Sequence, residues 1–453
     1  MTLFHRLTTD ATTRPRLLWL GLSSVAAIAI GFVLVSPKTA EGLIRLGGYY
    51  YMVGLFAAFV YYARRVARAR SAVWLAWLRA PGWVGLALLV ATAFTLWSDT
   101  YQHKILFDEY VLQATGFHMH ATKEVGTVIR AYSLDGTWLP IDTFLDKRPY
   151  FFTFLLSLLH DLTGYRIANA FILNSALAAA FLALTYWFGR ELTDRAGGLL
   201  AVALLASMPL LGQNATCAGM EMHNLTMLLL VMCLALLYLR APDPDRLALL
   251  CLGAVLLAQS RYESAIYVLP VAVIVLLGWW RAGAVLLPWA TVVTPMLLVP
   301  YAWHNRVLSA TPVLWQLQEG QTSRFSVAYL RTNLEGAFHF FFNFGPTLAN
   351  SWYLSVLGLA GLAWLAVVAA RWWRTRPPVA PAQTVALAFG AGVAGNFVMV
   401  QFYYWSRLDD TVTSRFALPA TLMLSLAAAA FVCRMRTTWP VRQIAFAGVP
   451  VYA

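Results

Sequence analysis

The chain reads as an all-α polytopic membrane protein with about 12 transmembrane helices (11–13) and an outer-face loop that holds short juxtamembrane helices. Three observations predict that class. Hydrophobic residues make up 60% of the 453 and charged residues only 12%, with a mean hydropathy of +0.65, well outside ordinary soluble domains. Apolar runs recur along the chain at lengths that suit a bilayer core. The arginines fall between those runs on alternate connections, the bias of a chain whose basic short loops stay in the cytoplasm. The net charge of +13 is therefore a topological signal and not a nucleic-acid footprint.

The elements follow in order. A polar tail with Arg6, Arg14 and Arg16 leads into the first span, 17–35, which has no small-residue cleavage site and reads as a retained helix. Residues 37–45 form an outer turn, and 46–63 returns to a basic linker in which Trp74 and Trp77 belong to the interface. The third span, 81–97, delivers a long polar loop over 98–166. Spans at 167–188, 197–211, 222–239, 247–258, 265–280 and 284–303 precede a second polar loop, 304–347. In that loop Trp315, Gln316, Gln318, Arg324 and Arg331 are the residues that would shape an acceptor site. Spans at 348–370, 385–404 and 416–433 complete the set. The apolar end, 444–453, is too short to span; it either lies in the interface or leads into a further helix. Two extra helices and a basic linker thus occupy 1–80, and a single core runs over 81–453.

Segment 149–164 is apolar but short, the length of an interfacial helix. Arginine placement decides its course. If it does not cross, nineteen arginines share the amino-terminal side, and the short loops opposite hold only Lys38, Arg45, Arg261, Arg407 and Arg415. If it crossed, eleven of the nineteen would move outside. The non-crossing arrangement puts both termini in the cytoplasm and both polar loops outside. The four cysteines, Cys217, Cys233, Cys251 and Cys433, are widely spaced and form no metal knuckle or disulfide frame. Asn214 and Asn224 head short glycosylation sequons of a kind common by chance.

With this topology the acids and bases gather at the outer rim. Asp108 and Glu109 follow the third span, with Tyr110 beside them, and Asp146, Lys147 and Arg148 precede the interfacial segment. Glu221 and His223 open one span; Arg261, Tyr262 and Glu263 open another; Arg407, Asp409, Asp410 and Arg415 stand at a third. The midplanes are nearly free of ionisable residues, whereas a transporter would be expected to place charged partners there. A rim of this composition suits transfer from a lipid phosphate: a carboxylate, with Asp108 the candidate, takes the proton from an attacking hydroxyl. Cations, with Lys147, Arg261, Arg407 and Arg415 the candidates, stabilise charge growing on the leaving phosphate. Each feature also has a plainer reading. Acid pairs at a membrane edge are often just solvated, Arg261 would equally anchor a helix end at the headgroups, and Glu221 with His223 would suit a helix start. His118 and His120 are the candidate ligands for a divalent metal, though a His-x-His in a polar loop is usually ordinary surface.

The stretches DEY at 108–110, DGTWLP at 135–140 and DKRPYFFTFLLSLLHDLTG at 146–164 resemble the first outer loop of the C-superfamily (GT-C) membrane glycosyltransferases, in their protein mannosyltransferase and aminoarabinose transferase branch. The similarity continues through YWFGRELTDRAGGLLA at 186–201, AQSRYES at 258–264 and RLDDTVTSRFALPA at 407–420, and so covers most of the chain from Pro81 onward. The resemblance implies an extracytoplasmic glycosyltransferase using a polyprenyl-phosphate-linked sugar donor, with a lipid, glycan or protein acceptor. Asp108, with Glu109 beside it, would be catalytic. Lys147, Arg148, Arg261, Arg407 and Arg415 would bind the donor phosphate, and Tyr110, Glu221, His223, Tyr262, Asp409 and Asp410 the rest of the substrates. Arg148-Pro149 departs from the family's Pro-Pro, which leaves the division of labour between Lys147 and Arg148 open, and two extra spans precede the family core. The competing classes are a non-enzymatic flippase or transporter of a lipid-linked sugar, and a surface polysaccharide ligase or polymerase.

Overall fold

The computed structural model describes residues 13–69, 81–310, 317, 321, 323–375 and 378–435. Trp74, Trp77, Trp315, Gln316, Gln318 and the segment 444–453 lie outside the described residues.

All twelve apolar segments are helical. In chain order the helices are α1 (Thr13–Ile28, continued by a π-helical turn Ala29–Leu34), α2 (Pro37–Ala69), α3 (Gly82–Trp97) and α4 (Leu106–Thr122). Strands β1 (Thr127–Leu134) and β2 (Thr137–Phe144) come next, then α5 (Phe151–Thr163), α6 (Ala168–Leu192), α7 (Arg195–Ala206), α8 (Pro209–Ala215) and α9 (Glu221–Arg240). These are followed by α10 (Pro244–Ala258), α11 (Val268–Ala282, entered by a tight turn Tyr262–Tyr267), α12 (Trp289–Leu297) and α13 (Val299–Ala310). The chain closes with α14 (Leu330–Phe341), α15 (Trp352–Thr375), α16 (Pro381–Gln401) and α17 (Leu418–Arg434).

Among the described residues eight helices are long and apolar enough to cross a membrane, or nine if the bent pair α7–α8, with its 74° angle, counts as one span. The protein is thus a multi-pass helical membrane protein. The count of about 12 is not reached by that measure, for local reasons. Pro209 opens a new helix after a break at Ser207 and Met208. The segment expected at 284–303 is divided at Leu298, just before Pro300, which lacks the N–H needed to continue the ladder, into the short helices α12 and α13. The third span has only 16 residues and α10 only 15. The outer turn expected at 37–45 is instead the first part of α2, a helix of 33 residues.

The all-α expectation needs one correction. Residues 127–144 form an antiparallel hairpin, β1 with β2. Asp135 and Gly136 supply two successive positive φ angles, 49° and 76°, as a two-residue hairpin turn requires. Trp138 packs edge-on against Phe117 of α4 with centroids 4.8 Å apart, fixing the hairpin to that helix.

The described chain forms two compact units. One comprises residues 1–78, 106–173 and 218–316. Its α9 is buried over most of its length, and α10 packs on both α9 and α2. Asp243 caps α10 by accepting the Arg246 N–H at 3.0 Å, with Pro244 following as the first helical residue. Helix α1 packs on α12, and α2 on α13, so the first two helices share a unit with the acid loop. The π-helical turn of α1 is held by α13: Trp303 Nε1 donates to Ile30 O at 2.9 Å, and Arg306 Nη1 donates to Gly31 O at 3.1 Å and Val35 O at 2.6 Å. Elsewhere α1 turns Leu18, Leu22, Val25 and Ile28 outward, a surface that suits lipid and not water.

The other unit comprises residues 79–105, 174–217 and 317–453. Helices α15 and α17 pack face to face through glycine, because Gly358 and Gly361 leave no room for a side chain against Leu424, Ala427 and Ala428. Asp194 caps α7 through the Gly197 N–H at 2.9 Å. Asn214 of the first sequon is buried in this unit and Asn224 of the second is buried in α9, so neither is presented for modification in the folded chain.

Candidate active site

Asp108 lies in the first turn of α4, where a carboxylate favours the helix dipole. It forms an ion pair with Nη2 of Arg148, whose side chain is only 2% exposed. The same guanidinium turns Nη1 to both oxygens of Asp146 at 2.7 Å, and the Arg148 N–H donates to Asp146 Oδ2 at 2.9 Å. Phe107 covers the guanidinium at 5.9 Å. Two carboxylates are thus joined through one buried arginine, whose planar fork suits such bridging. Asp146 is in turn held through its backbone: Nε2 of the buried His304 donates to its carbonyl at 2.6 Å. That bond puts a proton on Nε2 of His304.

The rest of the loop is supported from below. Helix α5 packs on α4 with Phe152 against Leu112 and Met220. Tyr49 and Phe56 of α2 meet Phe154 at 5.6 and 6.0 Å. The Val125 N–H donates to Arg45 O at 2.8 Å, tying the turn after α4 to α2.

The expected residues separate into groups. Asp108 and Arg148 come together, with Arg148 bridging the carboxylates of Asp108 and Asp146. Glu109 turns away from Asp108; it is 1% exposed and accepts the Ala218 N–H at 2.8 Å. Consecutive helical residues point about 100° apart, so the two acids face different partners. Tyr110 is exposed and Lys147 is half-buried beside Arg148.

A second charged group lies in the same unit. Arg261 Nε pairs with Glu263 Oε1 at 2.8 Å and its Nη2 reaches Glu221 Oε1 at 4.0 Å, all three side chains being buried. Arg261 also stands 5.8 Å from the centre of the Tyr262 ring. His223 is fully buried, edge-on to Phe151 at 4.7 Å.

His118 and His120 are not brought together. His118 faces inward, with Nδ1 3.0 Å from Gly126 O, whereas His120 faces Asp161 at 2.6 Å. Residues two apart on a helix lie on different faces, and among the described residues no three His, Cys, Asp or Glu side chains converge as metal ligands. Burial pushes His118 below its ordinary value. Burial, and then the neighbouring His120, does the same to His160. Burial alone would raise Asp161, but hydrogen bonds from Lys123, 2.8 Å to each oxygen, and from His120 outweigh it and hold Asp161 below its ordinary value.

In the other unit Arg407 clasps Asp409 through Nε at 3.0 Å and Nη2 at 2.7 Å. These bonds lower Asp409 and raise Arg407. Asp410 accepts the Val412 N–H at 2.7 Å, a turn-forming role. Arg415 is buried in the tight turn that leads into α17.

Sequence reasoning had no role for His304, which it placed at the start of the second outer loop, nor for Asp146 as the partner of Arg148. The Asp-Lys-Arg spacing was the available signal, since an aspartate accepts readily from the residue two positions on.

The fold is that of a polytopic helical membrane protein and is similar to the folds of the GT-C glycosyltransferases. The family model for dolichyl-phosphate-mannose-protein mannosyltransferase matches residues 147–304, a stretch that includes Lys147, Arg148, Arg261 and His304. No curated protein sequence matches the chain significantly. Among solved structures, ArnT from Cupriavidus metallidurans bound to undecaprenyl phosphate is similar, with a TM-score of 0.51 and 17% identity over 82% of this chain and 64% of ArnT. The Archaeoglobus fulgidus oligosaccharyltransferase, tethered to an acceptor peptide containing the NVT sequon, has a TM-score of 0.50 and 10% identity over 83% of this chain and 55% of its own. The chain therefore spans less than two thirds of either, and the likeness is one of fold.

Proposed function

We propose that this protein is an integral membrane glycosyltransferase that moves a sugar from a polyprenyl-phosphate-linked donor to an acceptor hydroxyl. The reaction takes place on the extracytoplasmic face of the cytoplasmic membrane. Asp108 takes the proton of the acceptor hydroxyl as its oxygen bonds to the anomeric carbon, and the bond from that carbon to the phosphate oxygen breaks. Polyprenyl phosphate leaves, and one direct displacement inverts the sugar carbon. Lys147 and Arg261 receive the negative charge gathering on the departing phosphate. The acceptor is a lipid, a glycan or a protein.

The observation that carries this reading is the placement of Asp108. It stands at the start of a juxtamembrane helix and is fixed by a buried arginine, on a fold similar to that of ArnT bound to undecaprenyl phosphate. The inner ends of the spans keep the basic loops, which supports the assigned face. The test is purified protein in lipid nanodiscs with a panel of polyprenyl-phosphate sugars. One donor should be consumed, and Asp108→Asn should slow its transfer by about 10²–10⁴-fold while donor binding persists. Movement of a lipid-linked sugar across the bilayer with no transfer, unchanged by Asp108→Asn, would mark a transporter instead.

A further inference from the structure

We propose that Arg148 is a positioning residue that aims Asp108 by bridging it to Asp146, and that its counterpart in the transfer is the carboxylate and not the donor phosphate. The inference rests on the reaction assigned to Asp108 above. It goes beyond that reading because the residue types alone place Arg148, with Lys147, among the phosphate ligands.

Three observations carry it. The Arg148 side chain is 2% exposed and Asp146 only 8%, so the guanidinium is embedded in protein and directed along the loop. Its two terminal nitrogens are committed to carboxylates on different elements: Nη2 to Asp108 at the start of α4, and Nη1 to Asp146 in the segment before α5. The far end of the bridge does not swing, because the Arg148 N–H donates to Asp146 Oδ2 and His304 of α13 donates to the Asp146 carbonyl. A rigid anchor on one side and a single-turn attachment on the other leave Asp108 one direction in which to point. An aspartate without such a partner samples several rotamers. Lys147 beside it is half-buried.

The chemistry agrees with this assignment. A base that must meet an acceptor hydroxyl in line with a lipid-borne leaving group gains rate from orientation, and a displacement of about 1 Å costs about 10²-fold. A lysine in place of Arg148 keeps the charge but lacks the planar fork that holds two carboxylates at once. Its effect should therefore be intermediate.

The experiment uses the full chain in nanodiscs and the donor consumed by the wild type. Three variants are compared with wild type and Asp108→Asn: Arg148→Lys, Arg148→Met, and Arg148→Met combined with Asp146→Asn. The combined variant removes a charge that would otherwise be buried without its partner, and so keeps the test open if Arg148→Met alone does not fold. Folded protein is counted by monodisperse elution and donor binding. The positioning role predicts that kcat falls about 10²-fold in the combined variant and less in Arg148→Lys, with the donor KM within about threefold of wild type. A folded combined variant with wild-type kcat overturns it, as does a donor KM that rises steeply while kcat holds, since that marks a phosphate ligand. Failure of the underlying reading looks different: Asp108→Asn would then transfer as fast as wild type, whatever Arg148 does.

Discussion

Glu109 accepts a hydrogen bond from the Ala218 N–H at 2.8 Å, and so ties the first turn of α4 to the segment that opens α9. Its neighbour Asp108 makes the opposite choice and pairs with Arg148. Two adjacent acids of the same chemistry are thus separated by helix geometry into a support and a candidate base.

Glu109 is expected to matter for folding more than for chemistry. Glu109→Ala removes a charge-assisted hydrogen bond to a buried N–H, worth about 1.5–3 kcal/mol, while Glu109→Gln keeps an acceptor oxygen and should lose less. Thermal unfolding in detergent measures both. The folded fraction of Glu109→Gln should retain most transferase activity, in contrast to Asp108→Asn.

Arg261 is surrounded by Glu221 and Glu263, with all three buried. Arg261→Gln leaves both carboxylates without their cation, a change that typically costs about 3–5 kcal/mol. Chemical denaturation should show that loss. If Arg261 also meets the donor, its KM should rise in whatever protein remains folded; an unchanged KM would restrict Arg261 to the ion-pair role.

Acid should weaken the juxtamembrane loop. His118 and His160 lie on α4 and α5, outside the spanning helices, and both sit below their ordinary value of 6.5 through burial. As the pH falls through 6.5, the unfolded chain takes up protons that the folded chain refuses, so stability declines from there downward. Asp161, held below its ordinary value of 3.8, adds stability above that pH and surrenders it at stronger acidity. Melting temperature measured from pH 8 to pH 5 should fall mainly below 6.5. His160→Gln should flatten that slope, and an unchanged slope in that variant would show that other groups control it.

The contact of α15 with α17 should be intolerant of bulk. A methyl group on Gly361 would lie 3.0 Å from the Ala428 nitrogen and nearer still to the Ala427 carbonyl. Gly361→Val should therefore destabilise by about 1–3 kcal/mol through overpacking, whereas Gly390, with open space at its Cβ position, should accept alanine at little cost. Denaturation of the two variants side by side checks the contrast.

Most of the scaffold was legible from the residues because hydrophobic length and arginine placement are strong, local signals. Every expected span is helical, and the motifs from Asp108 to Arg415 pointed to the fold that the structural likeness supports. What was illegible depended on geometry. Leu298, just before Pro300, and the residues before Pro209 break helices whose apolar character continues across the break, so composition alone counted them as whole. The hairpin at 127–144 alternates too weakly to be read as strand. The partners of Arg148 and Glu109 could not be assigned, because charge type is visible in a sequence but direction is not. Arg148 looked like one more cation at a basic rim until its two nitrogens were traced to Asp108 and Asp146.

The clasp between α13 and the π-helical turn of α1 has a consequence for assembly. The carbonyls of Ile30, Gly31 and Val35 find their donors in Trp303 and Arg306, between 271 and 275 residues later. During synthesis at about 5–20 residues per second, that interval lasts on the order of tens of seconds. The leading helix must therefore enter the bilayer with an unfinished seam, and the last turn of its path is sewn only when α13 emerges. Any factor that escorts this chain into the membrane would have to shelter that seam for the duration.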